Sequence, residues 1–288
     1  MELSGGKISS LMIIFNTWNG VIGVGTVTLP WAFQQSGILV GILITALSAL
    51  FAFVTNYMLL RAAGSDSNFS DTMHRYFPNG GWAISMACFI VNFYVGIILF
   101  FQVLTQSLYP ILLFMIGSDA PIELTTDWSQ FSLSYTCLII LVIVLAMTAP
   151  RDTAYIQKVN AFGVVFVVIF LAFIVVNGMM AFHTTDYVYS EQAYEEAIAK
   201  PNAPYTAYIP LTGTQFMPLM GILGGGFVFH NMSLPMVHYA ENPENNTRDL
   251  GIGFFLGFLT YTIVGLAGVY GFTGATFASH TPGDTRIE

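Results

Sequence analysis

Asn19-Gly20-Val21-Ile22-Gly23-Val24-Gly25-Thr26-Val27-Thr28-Leu29-Pro30 interrupts a membrane-length apolar segment with a glycine cluster and then a proline. Five spans later the pattern returns as Gly221-Ile222-Leu223-Gly224-Gly225-Gly226-Phe227-Val228-Phe229-His230, with Pro235 following. A backbone polar group freed from a helix and left bare in hydrocarbon costs several kcal/mol, so a break persists only where it lines a cavity or meets a ligand. Paired breaks at corresponding places in two halves point to the substrate site of a secondary transporter.

The chemistry of the first break follows from its residues. Gly20, Gly23 and Gly25 each lower helix stability by about 1 kcal/mol relative to alanine. Pro30 is expected to remove a further helix bond and to clash with the preceding turn. Unwinding near Gly23 exposes amides at the start of the outer half-helix and carbonyls at the end of the inner one. The first set suits a carboxylate and the second an ammonium or small cation, and a zwitterionic amino acid needs both. Asn19, Thr26 and Thr28 add neutral oxygen ligands of the kind a hard cation accepts.

At the second break, Gly224 and Gly225 supply backbone access; Phe227 and Phe229 are pocket-wall candidates, but with 25 Phe in the chain a packed core is the favoured reading for them. His230 is evenly balanced between an interhelical hydrogen bond and a ligand. The expected substrate set is therefore Gly20, Gly23, Val24, Gly25, Thr26, Gly224, Gly225, Phe227 and His230, with Asn19 as a sodium ligand. The competing view is that the glycines only let helices approach, as Gly221-x-x-x-Gly225 and Gly253-x-x-x-Gly257 would. Recurrence of the same Gly-then-Pro order favours a ligand. Asn92, Gln102, Gln106, Asn160 and Asn177 read as interhelical hydrogen bonds.

Composition limits the alternatives. Of 288 residues, 55% are hydrophobic and 8% charged, against about a quarter charged in an ordinary soluble domain. Mean hydropathy is +0.68. The eight Lys plus Arg form no basic stripe, so nucleic acid is not an expected partner. Walker, H-E-x-x-H, G-x-S-x-G and C-x-x-C signatures are lacking, and with them the expectation of an enzyme or a cofactor. Cys88 and Cys137 fall near the starts of spans at opposite faces and are expected to be buried free thiols.

Seven spans are expected, at roughly 8–36, 38–60, 82–116, 133–149, 160–182, 213–240 and 250–272. None contains a charged residue, which disfavours a buried carboxylate relay. Lys7, Arg61, Arg75, Arg151, Lys158 and Arg248 flank the side of the N-terminus, against Lys200 and Arg286 opposite. That bias predicts a short cytosolic N-terminus at 1–7, a membrane domain at 8–272 and a lumenal or extracellular stretch at 273–288. Ser190 to Lys200 predicts a short surface helix ended by Pro201. The sequons at Asn68, Asn231 and Asn245 lie where no glycosylation is expected.

These motifs resemble the amino acid/auxin permease superfamily. Phe15-Asn16-Thr17-Trp18-Asn19-Gly20-Val21-Ile22-Gly23-Val24-Gly25 and Leu29-Pro30-Trp31-Ala32-Phe33 are similar to its first-helix signature. Phe227-Val228-Phe229-His230-Asn231 and Glu244-Asn245-Asn246-Thr247-Arg248-Asp249-Leu250 resemble the lysosomal arginine-sensing branch of the sodium-coupled neutral amino-acid transporters. The resemblance implies an all-α integral membrane protein of LeuT-type inverted-repeat fold, with helices 1 and 6 broken and the chain truncated after about seven transmembrane helices. It also implies sodium-coupled amino-acid transport by alternating access, with Asn19 matching an asparagine of the family's sodium site. The substrate would be a neutral or cationic amino acid, with arginine favoured by the branch alone. The working unit is expected to be a monomer in a lipid bilayer, in a lysosomal or vacuolar membrane. A receptor that binds amino acid with little turnover, and an inactive fragment, are the rival expectations.

Overall fold

The computed structural model describes residues 7–64, 66, 68–116, 126, 128, 131–148, 153–199 and 206–277. Arg151, Lys200, Pro201, Arg286 and most of the stretch after 273 lie outside those residues. Two compact units divide the chain: Met1–Ser67 with Gln157–Glu288, and Asn68–Ile156.

The larger unit begins with α1 (Ser10–Val21), a 3-10 turn (Val24–Thr28) and α2 (Leu29–Ser36). The two helical halves of this first segment are bent by 56°. Then comes α3 (Ile38–Ala63), whose inward positions between the buried Ile38 and Leu59 are small or polar: Gly41, Thr45, Ala49, Ala52 and Asn56. Its outward positions carry Leu39, Leu43, Leu47, Leu50 and Phe51. Such inversion is what lipid imposes, because apolar burial drives no association there and close backbone packing does.

After α7 (Thr153–Thr184) the chain makes β1 (Asp186–Val188), α8 (Glu191–Ile198) and β2 (Thr206–Tyr208). The expected surface helix is α8, capped by the Ser190 hydroxyl, which accepts from the Ala193 amide at 3.3 Å. The strands pair in parallel, Asp186 opposite Thr206 and Val188 opposite Tyr208. The unit ends with α9 (Met217–Gly226), α10 (His230–His238), a 3-10 turn (Pro243–Asn245) and α11 (Asn246–Phe277).

Helix α11 packs along α1, α2 and α3. Its glycines make this possible. A Cβ built at Gly253 would lie 2.5 Å from the Thr17 side chain, one at Gly257 the same distance from Val21, and one at Gly265 2.6 Å from Phe33. The Gly253–Gly257 pair thus packs helices closely. Gly221 and Gly225 do not, since no described heavy atom lies within 4 Å of a Cβ at either.

The smaller unit holds α4 (Phe69–Tyr76), α5 (Gly81–Ile116) and α6 (Leu133–Thr148). Phe69 and Phe89 join α4 to α5, with ring centroids 6.0 Å apart. Tyr109 of α5 stacks on Phe131, just before α6, at 5.9 Å. Both cysteines are free, but Cys88 is exposed and Cys137 only half-buried, which corrects the expectation of buried thiols. Cys88 lies on α5, a helix whose apolar side chains mostly face outward, as they do against lipid.

Among the described residues, four helices are long and apolar enough to cross a membrane: Ile38–Ala63, Gly81–Ile116, Phe162–Thr184 and Pro243–Phe272. The bent first pair meets the same test together, while α6 and the α9–α10 pair fall short of it. Asn177 corrects a further expectation: its amide donates to Phe173 Oof its own helix at 2.8 Å, so this amide bond lies within α7. A side chain four residues from a carbonyl reaches it more readily than it reaches a neighbouring helix.

Candidate functional site

Helix α1 stops at Val21 because Ile22 (φ −80°, ψ 101°) and Gly23 (φ −96°, ψ 176°) are extended. Val24 opens the 3-10 turn that follows. Pro30 does not act as the sequence leads one to expect. It occupies the first turn of α2, where the missing amide has no helical partner to lose, so it starts the outer half-helix. Pro218 does the same for α9, whereas Pro235 lies inside α10.

The second interruption is also displaced. Gly221 to Gly226 remain helical, and the chain departs from the helix only at Phe227, Val228 and Phe229. The Phe227 amide still donates to Leu223 Oat 2.9 Å. In an apolar setting the helix keeps every backbone bond it can, so glycine alone does not open it.

The two interruptions meet. A Cβ at Gly23 would lie 3.7 Å from the Gly226 Cα, and one at Gly25 would lie 2.7 Å from Ile222. A Cβ at Gly20 would collide with the Phe229 ring. Around this crossing α2 and its 3-10 turn pack on α9, and α1 packs on α10. Of the expected substrate residues, Gly20 therefore lies against the second break, Gly23 against the helix end beside it, and Gly25 against Ile222 within α9. Gly224 and Gly225 are exposed, with no described heavy atom within 4 Å of a Cβ at either.

The freed carbonyls are largely answered by side chains. Thr26 donates both its amide (3.1 Å) and its hydroxyl (2.7 Å) to Gly23 O. The Thr28 hydroxyl donates to Gly25 Oat 2.8 Å, and Ser233 does likewise for His230 Oat 2.9 Å. A hydroxyl that donates inward retains lone pairs, so Thr26 and Thr28 still fit a hard cation as neutral ligands.

Phe227 and Phe229 belong to the core, each 3% exposed. Phe227 lies 6.3 Å from the Phe254 ring and 5.1 Å edge-on from Tyr261. His230 Nε2 is 2.8 Å from the Thr55 hydroxyl of α3. The Asn19 side chain fills the space beside Gly163 of α7, its Nδ2 2.8 Å from where a Cβ would stand. Next to it, Trp18 Nε1 donates to the Thr260 hydroxyl at 2.8 Å, which ties α1 to α11.

One residue at the crossing was not legible as a site residue. Tyr261 of α11 is 1% exposed; its hydroxyl donates to Val21 Oand accepts from the Gly23 amide at 3.3 Å. The available signal was a phenol at mid-span, which needs a polar partner when buried.

Residues 6–284 match the family profile described as transmembrane amino acid transporter protein. The chain belongs to the transmembrane amino acid transporter family. It is thus an integral, multi-pass membrane protein of a family of transporters rather than enzymes. Among its relatives is the neutral amino acid transporter 9 of Xenopus tropicalis, 23% identical over 91% of this chain and 53% of that protein. The protein of that name in Danio rerio is 23% identical over 90% of this chain and 54% of its own length. A Caenorhabditis elegans protein named sodium-coupled neutral amino acid transporter 9 homolog is 22% identical over 90% of this chain and 50% of its own. The chain spans about half the length of the curated relatives it matches.

In this family member the Glu244-to-Leu250 motif runs from the 3-10 turn (Pro243–Asn245) into the first turns of α11. Asn246 donates to Val237 Oat 3.3 Å, joining α11 to the end of α10. Asp249 is fully buried and accepts from Arg248 Nε at 3.0 Å and Nη2 at 2.9 Å. The first turn of a helix favours such a carboxylate. The motif therefore anchors a helix at some distance from the crossing.

Proposed function

We propose that the chain carries the substrate-binding core of a secondary amino-acid transporter with LeuT-type inverted-repeat architecture. The observation that supports this reading most is the meeting of two interrupted helices, with Gly23 opposite the Gly226 backbone. One amino acid lies between them, its carboxylate on the Gly23–Gly25 amides and its ammonium on freed carbonyls. A complementary donor and acceptor pair selects the zwitterion common to all α-amino acids and leaves side-chain choice to the surroundings.

Sodium is the co-transported substrate in this reading, held by neutral oxygens of Asn19, Thr26 and Thr28. The name of the Caenorhabditis elegans relative and the hydroxyl-rich first break support that choice over a carboxylate-based proton route. The α6 helix and the α9–α10 pair count as spans four and six. Rocking of spans one, two, six and seven against the rest alternates access. The cationic flanks Lys7, Arg61, Arg75, Lys158 and Arg248 support a cytosolic N-terminus. The protein acts as a monomer, and a lysosomal or vacuolar membrane is its proposed location.

Uptake of radiolabelled amino acids into vesicles reconstituted with the full-length protein, with and without an inward sodium gradient, tests the reading. Gly23→Val abolishes sodium-driven accumulation, and Asn19→Ala lowers it at the sodium concentration that half-saturates the wild type. Normal accumulation in both variants removes the site assignment.

A further inference from the structure

We propose that the Tyr261 hydroxyl is an internal stand-in for the substrate, holding the polar groups of the first break whenever the carrier is empty. The inference rests on the transport reading above and adds a residue to it. Tyr261 donates to Val21 Oand accepts from the Gly23 amide at 3.3 Å. These two groups flank Ile22, where α1 ends, and they are one acceptor and one donor. An amino acid offers the matching pair as ammonium and carboxylate. A phenol serves both with one atom, because its hydroxyl donates and accepts.

The space for that atom is built into the second break. A Cβ at Gly226 would collide with the Tyr261 hydroxyl, so this glycine lets the oxygen sit where the interruptions cross. The ring is held edge-on to Phe227 at 5.1 Å, and the residue is 1% exposed. Its hydroxyl thus faces the break and not a water-filled surface.

A secondary carrier must return empty as well as cross loaded. With substrate bound, the ligand satisfies the break; without it, bare backbone groups in an apolar site raise the energy of every empty intermediate. Tyr261 lowers that energy and, for the same reason, competes with the substrate carboxylate for Gly23. It therefore acts on the empty half of the cycle far more than on the loaded half.

The test compares Tyr261→Phe with wild type in the full-length protein, purified and reconstituted. Three quantities are measured: net uptake into empty vesicles, exchange in vesicles preloaded with the same amino acid, and equilibrium binding of that amino acid. Loss of one satisfied buried group predicts net uptake falling about ten-fold further than exchange, with Kd lowered about five-fold as the competitor disappears. Gly226→Ala, which displaces the hydroxyl without removing it, must shift the uptake-to-exchange ratio in the same direction. It also keeps the test open where Tyr261→Phe fails to fold. Parallel loss of uptake and exchange in both variants, weaker binding, or no change in the ratio overturns the inference. A wild-type protein that neither binds nor transports amino acids overturns the transport reading itself.

Discussion

Replacing Gly224 by valine separates a ligand-lining glycine from a packing glycine. At Gly224 no described heavy atom lies within 4 Å of an added Cβ, so the new side chain meets no wall. Relief of glycine's helical cost is worth up to about 1 kcal/mol for alanine and a few tenths for valine, so folding is unchanged or slightly favoured. At Gly257, by contrast, the same change drives a Cβ to 2.5 Å from Val21. Val21 is fully buried and its carbonyl is held by Tyr261. Overpacking of that kind costs about 1–3 kcal/mol, more than the propensity gain returns. Both variants are expected to lose uptake, for opposite reasons. Gly257→Val lowers the thermal unfolding midpoint in detergent and takes uptake with it. Gly224→Val leaves the midpoint where it was and lowers uptake at least about ten-fold, because the added methyls occupy substrate space. Paired fluorescence-detected thermal scans and vesicle uptake decide the matter. Wild-type uptake by Gly224→Val would refute the reasoning, since the open side of α9 would then face something other than substrate.

Asn19→Ala raises the sodium concentration for half-maximal uptake by about ten-fold if one ligand worth roughly 1.4 kcal/mol is lost, as sodium-dependence curves would measure. A double-mutant cycle between His230→Ala and Thr55→Val, read by thermal unfolding, gives a coupling of about 0.6–1.7 kcal/mol for their 2.8 Å contact. Gly37→Ala destabilises by about 1–3 kcal/mol through backbone strain, because Gly37 has φ +78° and an added Cβ would stand 2.6 Å from the Gly213 amide. The same scans detect it as a lowered midpoint.

Legibility in the sequence tracked how local each feature's cause was. The first break could be read because Gly20, Gly23 and Gly25 weaken the helix at the point where it ends. The α8 cap could be read because Ser190 satisfies an amide three residues away. The second break falls later than its glycines suggest, since Gly221 to Gly226 weaken a helix that its surroundings keep intact. Tyr261 escaped notice because its partners are backbone groups 240 and 238 positions away, and backbone carries no sequence signature. The three-residue strands β1 and β2 are too short for an alternating pattern. The usual burial of a thiol does not carry over to Cys88, because on a membrane helix the outward side suits apolar groups as well as the core does.

The segment just before α9 forms backbone bonds to both sides of the turn between α2 and α3. The Gly213 amide donates to Ser36 O(2.8 Å), while Ile38 and Leu39 donate to Pro210 O(3.0 Å) and Leu211 O(2.9 Å). At the other end of the broken pair, Ile8 bridges beside Ala240: its amide donates to the Tyr239 carbonyl and its carbonyl accepts from the Glu241 amide, each at 2.8 Å. The start of α9 is thus tied to the α2–α3 turn, and the end of α10 to the start of α1. Between those ties lie the two interruptions, Ile22–Gly23 and Phe227–Phe229, so the backbone groups that the proposed substrate would grip sit midway between fixed ends.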